Sequence, residues 1–436
     1  MQTTSSRLRQ VAAVRSARRG RAGRPDWSRD GLAGLIEPVG VADFAVGYWE
    51  REPVIIRRDD AEFYADLLTF DDVDHILANS GLRESDLRVI VAGVNVWVRK
   101  ADDAKGHFPP GTLEDIYHAY RAQGATINLT YLHERWPPLD QFCRTLAAEL
   151  SAQIKSNIYL TPPRVQGLRE HFDTHDVFVA QISGSKRWRF YETRHPLPLQ
   201  NQRYSWPPEG PGEPVAEFEL TPGDLLYIPR GVVHDATCTE EASLHLAVGV
   251  IPVRWAELIR EAVRKITARE LRFRASVPSW FTHNEWRKAA TATAEDLLAD
   301  LAAMLSSRDL LDELATARLS AARPALRGHL ADLGAVDSVD LDTPLHRHEG
   351  TEYLLTVGIE DARLEFHGKA VTLPVRLAPQ LRFMAVADRF TGRTVPGDLA
   401  ESGRLVLIRT LLREGFLTIA TDIAEGQTGD RAANPA

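Results

Sequence analysis

Two short segments constrain the fold of this 436-residue chain more than any other feature. His171 and Asp173 stand two positions apart, so on an extended backbone their side chains project from the same side and can converge on one ion. His234 lies just beyond a predicted strand, Leu225–Ile228, that ends at a Pro/Gly turn. Two histidines and one carboxylate make up the facial triad of non-haem Fe(II) oxygenases, which leaves coordination positions open. We therefore predict that His171, Asp173 and His234 are metal ligands.

A lysine follows the first two predicted ligands at a spacing that suggests a second role. Lys186 comes fifteen residues after His171, just past a predicted hairpin turn at Ser183–Ser185. We expect the flanking strands, Phe178–Ile182 and Trp188–Tyr191, to pair antiparallel and to bring Lys186 into the mouth of a small barrel. There its charge could neutralise the distal carboxylate of 2-oxoglutarate, whose keto-acid end would chelate iron. The alternative is an exposed lysine in a hairpin turn.

The pattern around these motifs predicts mixed α and β structure. Between residues 32 and 251, short apolar segments alternate with Gly/Pro turns, which is typical of a β-sandwich or barrel. Beyond this stretch the apolar spacing becomes helical, and Gly334–Pro344 has the composition of a linker. Residues 345–420 combine strands with two predicted helices, Ala378–Ala387 and Asp398–Glu414. A small unit of this kind resembles a winged helix.

Five sequence motifs occur in order along the chain: N-x-Y-L-T-P, a glycine, H-x-D, G-x-K-R-W-R and G-D-x-x-Y-I-P. They lie at Asn157–Pro162, Gly167, His171–Asp173, Gly184–Arg189 and Gly223–Pro229. Together they resemble the JmjC family, and specifically its ribosomal-oxygenase branch of cupin-like protein hydroxylases. The resemblance covers nearly the whole chain beyond about residue 30.

The resemblance implies an α+β fold with three parts. These are a double-stranded β-helix (cupin or jelly-roll) JmjC domain at residues 31–252, a helical dimerisation region at 253–335 and a C-terminal winged-helix-like domain at 345–422. Flanking segments at 1–30, which is Arg-rich, and 423–436 are expected to be disordered tails.

The resemblance also implies roles for individual residues. The predicted triad would bind Fe(II), with 2-oxoglutarate and O₂ as co-substrates, and no catalytic residue beyond the metal ligands is required. Four residues match positions of the co-substrate pocket: Lys186, Asn157, Tyr159 and His245. The implied reaction is hydroxylation of an amino-acid side chain, with His or Arg favoured, in a ribosomal protein or a ribosomally synthesised peptide.

Three alternatives remain open. A cupin metalloenzyme that does not use 2-oxoglutarate would keep the barrel, although it would more usually show H-x-H followed by a glutamate. A non-catalytic peptide-binding module could keep the fold and lose the iron. A histone demethylase would use the same oxidant, but the chain shows no chromatin-reader module.

Three other histidines attract attention. His175 continues the H-x-D alternation, but a fourth protein ligand would crowd out O₂, so we expect it at the substrate entrance or facing solvent. His346 and His348 have the spacing of metal ligands but no evident third ligand, so we interpret them as surface residues.

Composition narrows the setting of the protein. No apolar run approaches the ~20 residues that cross a bilayer. Cys143 and Cys238 stand far apart, which gives no disulfide framework and suits a reducing cytoplasm. Residues 1–30 contain eight arginines, whereas the chain carries a net charge of −8. We expect a homodimer that binds a protein or peptide substrate and no membrane, with nucleic acid touched, if at all, by the basic tail.

Overall fold

The computed structural model describes residues 11–16, 24–79, 82–96, 111–206, 209–305, 326–348 and 350–420, with a few positions between 306 and 325. The chain divides into two compact units, residues 1–253 and 254–436, which are described in turn.

Twelve strands run through the described part of the first unit. In chain order they are β1 (Ala12–Ser16), β2 (Val54–Arg58), β3 (Leu87–Val91), β4 (Val94–Asn95), β5 (Thr126–Leu129), β6 (Ala152–Thr161), β7 (Asp176–Ser183), β8 (Lys186–Phe190), β9 (Ala216–Leu220), β10 (Leu225–Ile228), β11 (His234–Cys238) and β12 (Ser243–Pro252). The α-helices described among them are Gly31–Ile36, Val41–Gly47, Phe70–Asn79, Thr112–Gln123 and Pro137–Leu150.

The strands form two sheets. The larger has the order β1-β2-β10-β7-β12-β6-β5-β3-β4, and the smaller has the order β11-β8-β9. Because β7 and β8 belong to different sheets, the predicted antiparallel pairing across Ser183–Ser185 is wrong. Gly184 makes the crossing between sheets possible: its φ is +60°, and a Cβ there would lie 1.9 Å from the Ala242 carbonyl oxygen.

Apolar side chains hold the two sheets together. Val177 and Val179 of β7 pack with Trp188 and Phe190 of β8 in one buried cluster. The intervening Phe178 belongs to a larger core that includes the helices. Successive strand residues point to opposite faces, so β7 is buried on both sides. The predicted mixed α and β content of this unit is confirmed.

Part of the predicted N-terminal tail is structured. β1 pairs in parallel with β2, and Ala12 and Val14 pack against the larger core. Trp27 is also buried, with its ring 5.3 Å from that of Phe142. The prediction of disorder over residues 1–30 is therefore wrong for these residues, because their apolar side chains complete the sheet edge and the core. Residues 1–10, 17–23 and the predicted tail at 423–436 lie outside the described residues.

The second unit begins with helices and continues as a small α/β structure. The α-helices whose bounds lie in its described part are Trp255–Arg269, Leu271–Arg274, Asn284–Met304, His329–Ala335, Ala378–Val386 and Glu401–Arg413. Its strands are β13 (Leu345–Arg347), β14 (Tyr353–Val357), β15 (Asp361–Phe366), β16 (Lys369–Pro374) and β17 (Leu417–Ile419). β13 pairs with β17, and β14, β15 and β16 form a separate antiparallel sheet.

Two sequence predictions about this unit have different outcomes. The two helices predicted near residues 378 and 398 are present, with slightly shorter bounds. The predicted linker Gly334–Pro344 is wrong at its start, because Gly334 lies in a helix and Val336, Val339 and Leu341 are buried.

Among the described residues, no helix combines the length and hydropathy needed to cross a membrane. Cys143 and Cys238 are both buried and form no disulfide.

Candidate metal centre

A backbone bridge brings together two predicted metal ligands that are distant in sequence. His171 lies between β6 and β7, and His234 is the first residue of β11. The two residues exchange backbone hydrogen bonds: His171 N donates to His234 O at 3.0 Å, and His234 N donates to His171 O at 2.8 Å. Gly231 N also donates to Asp173 O at 3.0 Å, which ties the Pro/Gly turn to the H-x-D segment.

The three side chains converge on one point. The imidazole centroids of His171 and His234 are 4.6 Å apart, and His234 Nε2 lies 3.8 Å from an Asp173 oxygen. One ligand atom from each of the three residues lies within 4.8 Å of the others. A divalent metal ion could bind here with only small side-chain movements, because metal–ligand bonds of ~2.1 Å need the ligand atoms slightly closer together.

Backbone carbonyls orient both imidazoles. His171 Nδ1 donates to Arg169 O at 2.7 Å, and His234 Nδ1 donates to Val232 O at 2.9 Å. With the proton fixed on Nδ1, the lone pair of each ring lies on Nε2. Hydrogen bonds of this kind set the tautomer and ring orientation of metal-bound histidines.

Electrostatics favour the forms that bind a metal. Burial lowers the pKa of His234 to about 4, and repulsion from His171 acts in the same direction, so the ring is neutral at pH 7. Burial by itself raises the pKa of Asp173, but attraction to His175, His171 and His234 outweighs it and the net shift is downward. A neutral imidazole and an ionised carboxylate are the states that donate electron pairs to a metal.

His175 is close to this group but is not part of it. The three-residue cluster does not include His175, whose ring lies against Gly249: a Cβ on Gly249 would be 2.6 Å from His175 Cδ2. Its position beside the carboxylate fits the expected place near the substrate entrance, which stays a prediction.

A cavity of about 540 Å³, counted with its open mouth, adjoins the three side chains. Its wall includes Lys186 from β8, Thr161 from β6 and Thr126 from β5. Thr126 Oγ1 donates to Thr161 Oγ1 at 3.1 Å, and Lys186 Nζ donates to the same Thr161 oxygen at 3.0 Å. The two threonines therefore hold the ammonium group in the cavity wall.

Lys186 is a buried cation without an anionic partner. Its relative exposure is 3%, and no carboxylate of the described residues lies within ion-pair distance of Nζ. Burial lowers its pKa to about 8, opposed by the Cys238 thiol. An unpaired buried charge is costly, so this arrangement is suited to an anionic ligand. The alternative of an exposed turn lysine is wrong.

Two further predicted pocket residues lie in the cavity wall beside Lys186. The rings of Tyr159 and His245 stack at 5.0 Å, and both line the cavity. Burial lowers the pKa of His245 well below its usual value, with Lys186 acting in the same direction. His245 Nδ1 and Trp188 Nε1 are buried and have no hydrogen-bond partner among the described residues. Both atoms are therefore available to a ligand.

Asn157 is placed differently from the prediction. It shares a face of β6 with Tyr159 and Thr161, but it is not among the residues that line the cavity. Its side-chain oxygen accepts the backbone N–H of Tyr131 at 3.1 Å. This hydrogen bond favours a structural role for the side chain, and its contact with the co-substrate stays a prediction.

Sequence analysis missed several cavity residues. Thr161 could have been found by extending the i, i+2 alternation from Tyr159. No comparable indication exists in the sequence for Asp235. It directly follows the candidate ligand His234, and its hydrogen-bond partners come from β8 and the loop after it. Arg189 donates to both Asp235 oxygens, at 2.9 and 2.7 Å, and Tyr191 donates a third hydrogen bond at 2.8 Å.

An aromatic cluster lies next to the metal ligands. Phe172, between two of them, stacks on His195 at 6.2 Å and meets the Tyr204 ring edge-on at 5.3 Å. Tyr204 contacts Trp206, which is 51% exposed and lies under the Arg169 guanidinium. The Tyr204 ring stands nearly perpendicular to those of Phe172 and Trp206, so the cluster gives the region a partly exposed aromatic surface with edge-to-face packing.

Comparison with known families identifies the domain that carries this site. The JmjC domain model matches residues 131–258, which include all three candidate ligands and Lys186. The chain is 31% identical over 236 residues to the bifunctional lysine-specific demethylase and histidyl-hydroxylase NO66 of Aedes aegypti, covering 53% of this chain and 36% of that protein. It is 31% identical over 289 residues to human ribosomal oxygenase 1, covering 63% and 43%. The chain thus spans less than half the length of these relatives.

Solved structures agree on the fold. The YcfD ribosomal oxygenase of Escherichia coli, in complex with cobalt and 2-oxoglutarate, matches with a TM-score of 0.50 and 19% identity over 88% of this chain and 99% of that one. The predicted cupin-like JmjC fold with a large sheet is confirmed, and so is the resemblance to ribosomal oxygenases.

We predict that removing the carboxylate ligand abolishes metal binding while removing the adjacent histidine does not. Asp173→Ala should weaken Fe(II) binding at least ~100-fold, more than the loss of an outer hydrogen-bond partner costs. His175→Ala, two residues away, should change it less than about threefold. Anaerobic Fe(II) titration followed by metal analysis measures both. Equal losses in the two variants would mean that His175 is a ligand and the three-residue site is wrong.

Proposed function

We propose that the chain, which contains a JmjC domain similar to that of the ribosomal oxygenases, is an Fe(II)- and 2-oxoglutarate-dependent oxygenase that hydroxylates a protein or peptide side chain. One observation carries this proposal: a single cavity joins a His–Asp–His triad to a buried ammonium group without an anionic partner. A metal ion and a dicarboxylate would balance the charges of the two sites together.

Each group of residues would have a distinct task. His171, Asp173 and His234 would hold Fe(II) and leave coordination positions free on the cavity side. Lys186 would bind the distal carboxylate of 2-oxoglutarate, and the unpaired Trp188 and His245 nitrogens would offer it further contacts. With O₂, the bound iron and co-substrate supply an oxidant for a C–H bond and leave succinate and CO₂.

The substrate would approach along the aromatic cluster. Phe172, Tyr204 and Trp206 form a partly exposed edge-to-face aromatic cluster next to the ligands, and such rings favour a peptide side chain that carries an aromatic or cationic group. Histidine and arginine both fit that description. The relatives named ribosomal oxygenase and histidyl-hydroxylase favour histidine in a ribosomal protein as the first substrate to test.

The rival functions fit the cavity less well. A cupin enzyme without 2-oxoglutarate, or a binding module without iron, gives no reason to bury the Lys186 charge opposite a metal triad. Lysine demethylation shares the co-substrate, and the double name of the NO66 relative keeps it as the second candidate. The identity of the product separates it from hydroxylation.

We also propose that the second unit supports self-association. Its helices and the turn before Asn284 expose large apolar side chains, among them Trp255, Leu271, Trp280 and Trp286, at 49–75% relative exposure. Contiguous exposed apolar side chains mark interaction surfaces, and the rings of Trp280 and Trp286 lie 5.6 Å apart. The helices and sheet of residues 345–419 would form the winged-helix-like part, and a reducing cytoplasm would suit the two free thiols.

We predict a homodimer in solution. Light scattering on the full-length chain should give about twice its 48.6 kDa mass. Trp255→Glu combined with Leu271→Glu should shift the population towards the monomer, because each substitution would bury a charge. A single monomeric species in the unaltered protein would rule out this surface as a dimer interface.

We predict that 2-oxoglutarate binding weakens as Lys186 loses its proton. A pKa of about 8 in the ligand-free protein means that the ammonium is mostly charged at pH 7 and mostly neutral at pH 9. The Kd should therefore rise by about tenfold between these pH values. Titration of the Fe(II) protein without O₂, followed by the visible charge-transfer band of the chelate, measures it.

Two variants make this test specific. Lys186→Met, which keeps the apolar stem, should weaken binding roughly 100-fold and remove the pH dependence. Arg187→Met changes the adjacent exposed cation on the same strand and should leave the Kd unaltered. If Lys186→Met binds as tightly as the unaltered protein, the co-substrate assignment fails.

We predict oxygen insertion into a ribosomal-protein peptide. With Fe(II) and 2-oxoglutarate, a histidine-containing peptide should gain the mass of one oxygen atom, and tandem mass spectrometry should locate it on one side chain. The Asp173→Ala variant serves as the inactive control. Loss of a methyl group from a methyl-lysine peptide, without oxygen gain on any histidine or arginine peptide, would favour the demethylase instead.

The aromatic surface can be tested in the same assay. Trp206→Ala should raise the KM for the peptide several-fold, because stacked aromatic pairs contribute roughly 0.5–1.5 kcal/mol. The Kd for 2-oxoglutarate should not change. A change in the Kd for 2-oxoglutarate without a change in the KM for the peptide would contradict the assignment of Trp206 to the peptide-binding surface.

A further inference from the structure

A second His–Asp–His cluster lies within the second unit. His329 is the first residue of the helix His329–Ala335, Asp332 lies one turn later, and His348 follows β13. One ligand atom from each lies within 4.8 Å of the other two. His348, interpreted from the sequence as a surface residue, is 5% exposed, and that interpretation is wrong. The third ligand was missed because it comes from a helix sixteen residues earlier.

The Asp332 carboxylate is buried with little compensation for its charge. Its relative exposure is 4%. It accepts the Thr418 hydroxyl at 2.8 Å and the Ile419 backbone N–H at 3.1 Å, both neutral donors from β17. No lysine or arginine of the described residues lies within ion-pair distance of it. The nearest group that could carry positive charge is His348, whose Nε2 is 3.6 Å away.

Two imidazole nitrogens in the cluster are also buried without a close partner. His329 Nδ1 makes no hydrogen bond with the described residues, and His348 Nε2 lies 3.6 Å from the Asp332 carboxylate, just beyond hydrogen-bond distance. Buried polar atoms in native proteins are nearly always bonded, so two orphans beside one carboxylate call for a ligand. Burial lowers the pKa of His348; Asp332 opposes this shift, while His329 and His346 reinforce it. A neutral ring has a lone pair to donate to a metal.

We propose that His329, Asp332 and His348 bind a divalent transition-metal ion, of which Zn²⁺ is the first candidate. Two imidazoles and a carboxylate, with water as a fourth ligand, make a donor set that Zn²⁺ accepts in tetrahedral geometry. Bonds of about 2.0–2.1 Å place tetrahedral ligand atoms roughly 3.4 Å apart. The Nε2–carboxylate distance of 3.6 Å is already close to that value.

The ion would serve the fold of the second unit. It would balance the Asp332 charge, satisfy both orphan nitrogens and tie the helix His329–Ala335 to the β13–β17 sheet. His348 already anchors that sheet, because its backbone N–H donates to Phe416 O at 3.0 Å. This site is separate from the candidate iron centre and does not depend on the proposed reaction. The competing arrangement is a protonated His348 paired with Asp332 and no ion.

The proposal is tested by counting the metal ions that bind when the candidate iron centre has been removed by mutation. Full-length protein carrying His171→Ala and Asp173→Ala is freed of metal with a chelator and titrated with Zn²⁺ by calorimetry, and bound zinc is counted after gel filtration. We expect one equivalent in this protein and two in the unaltered chain. Adding His348→Gln, whose amide can still hydrogen-bond Asp332, should weaken the remaining site at least ~100-fold. His283→Ala, an exposed histidine of the same unit, should leave it intact.

Two further measurements complete the test. Zn²⁺ should raise the Tm of the His171→Ala, Asp173→Ala protein and should not raise it when His348→Gln or Asp332→Asn is added. Co²⁺ should give the visible bands of a tetrahedral site in the same protein. The proposal would be overturned if the His171→Ala, Asp173→Ala protein, whose second cluster is intact, bound no zinc. It would also be overturned if zinc binding survived both His348→Gln and Asp332→Asn.

Discussion

The site depends first on the backbone bridge between His171 and His234. Two reciprocal hydrogen bonds join the segment after β6 to the start of β11, so ligands distant in sequence meet at a fixed separation. The bridge is possible because the two sheets face each other across the buried apolar cluster that contains Val177 of β7 and Phe190 of β8. Gly184 carries the chain from the larger sheet to the smaller one, which puts Lys186 in the wall of the same cavity. The backbone bridge and the passage of the chain between the sheets at Gly184 therefore place the candidate metal ligands and Lys186 at one cavity.

The two ends of the cavity suit ligands of opposite charge. The neutral imidazole of His234 and the ionised Asp173 lie at one end, and the Lys186 ammonium, held by Thr161, lies at the other. A metal cation at the first end and a carboxylate at the second would replace the contacts with water that these buried charged groups lose on folding. The second unit shows the same physical situation at Asp332, where a buried carboxylate stands beside imidazoles with unpaired nitrogens.

The sequence predicted those parts of the site that depend on local geometry. The i, i+2 spacing predicted that His171 and Asp173 share a side, and the motifs indicated the JmjC fold before any strand was known. It failed where contacts between distant residues decide the structure: β7 and β8 do not pair, and residues 12–16 complete a sheet edge. His329, Asp332 and His348 could not be grouped from spacing alone, because a helix and the end of a strand bring them together.

The most direct test of the central claim is a crystal structure grown without O₂, with Mn²⁺ as a redox-inert replacement for iron and with 2-oxoglutarate. We predict anomalous density for one ion bound by His171, Asp173 and His234, with the keto-acid end of 2-oxoglutarate on the ion and its distal carboxylate on Lys186. Density for the ion without the co-substrate, or a co-substrate that does not contact Lys186, would contradict the account and favour a metal-binding cupin with another reaction.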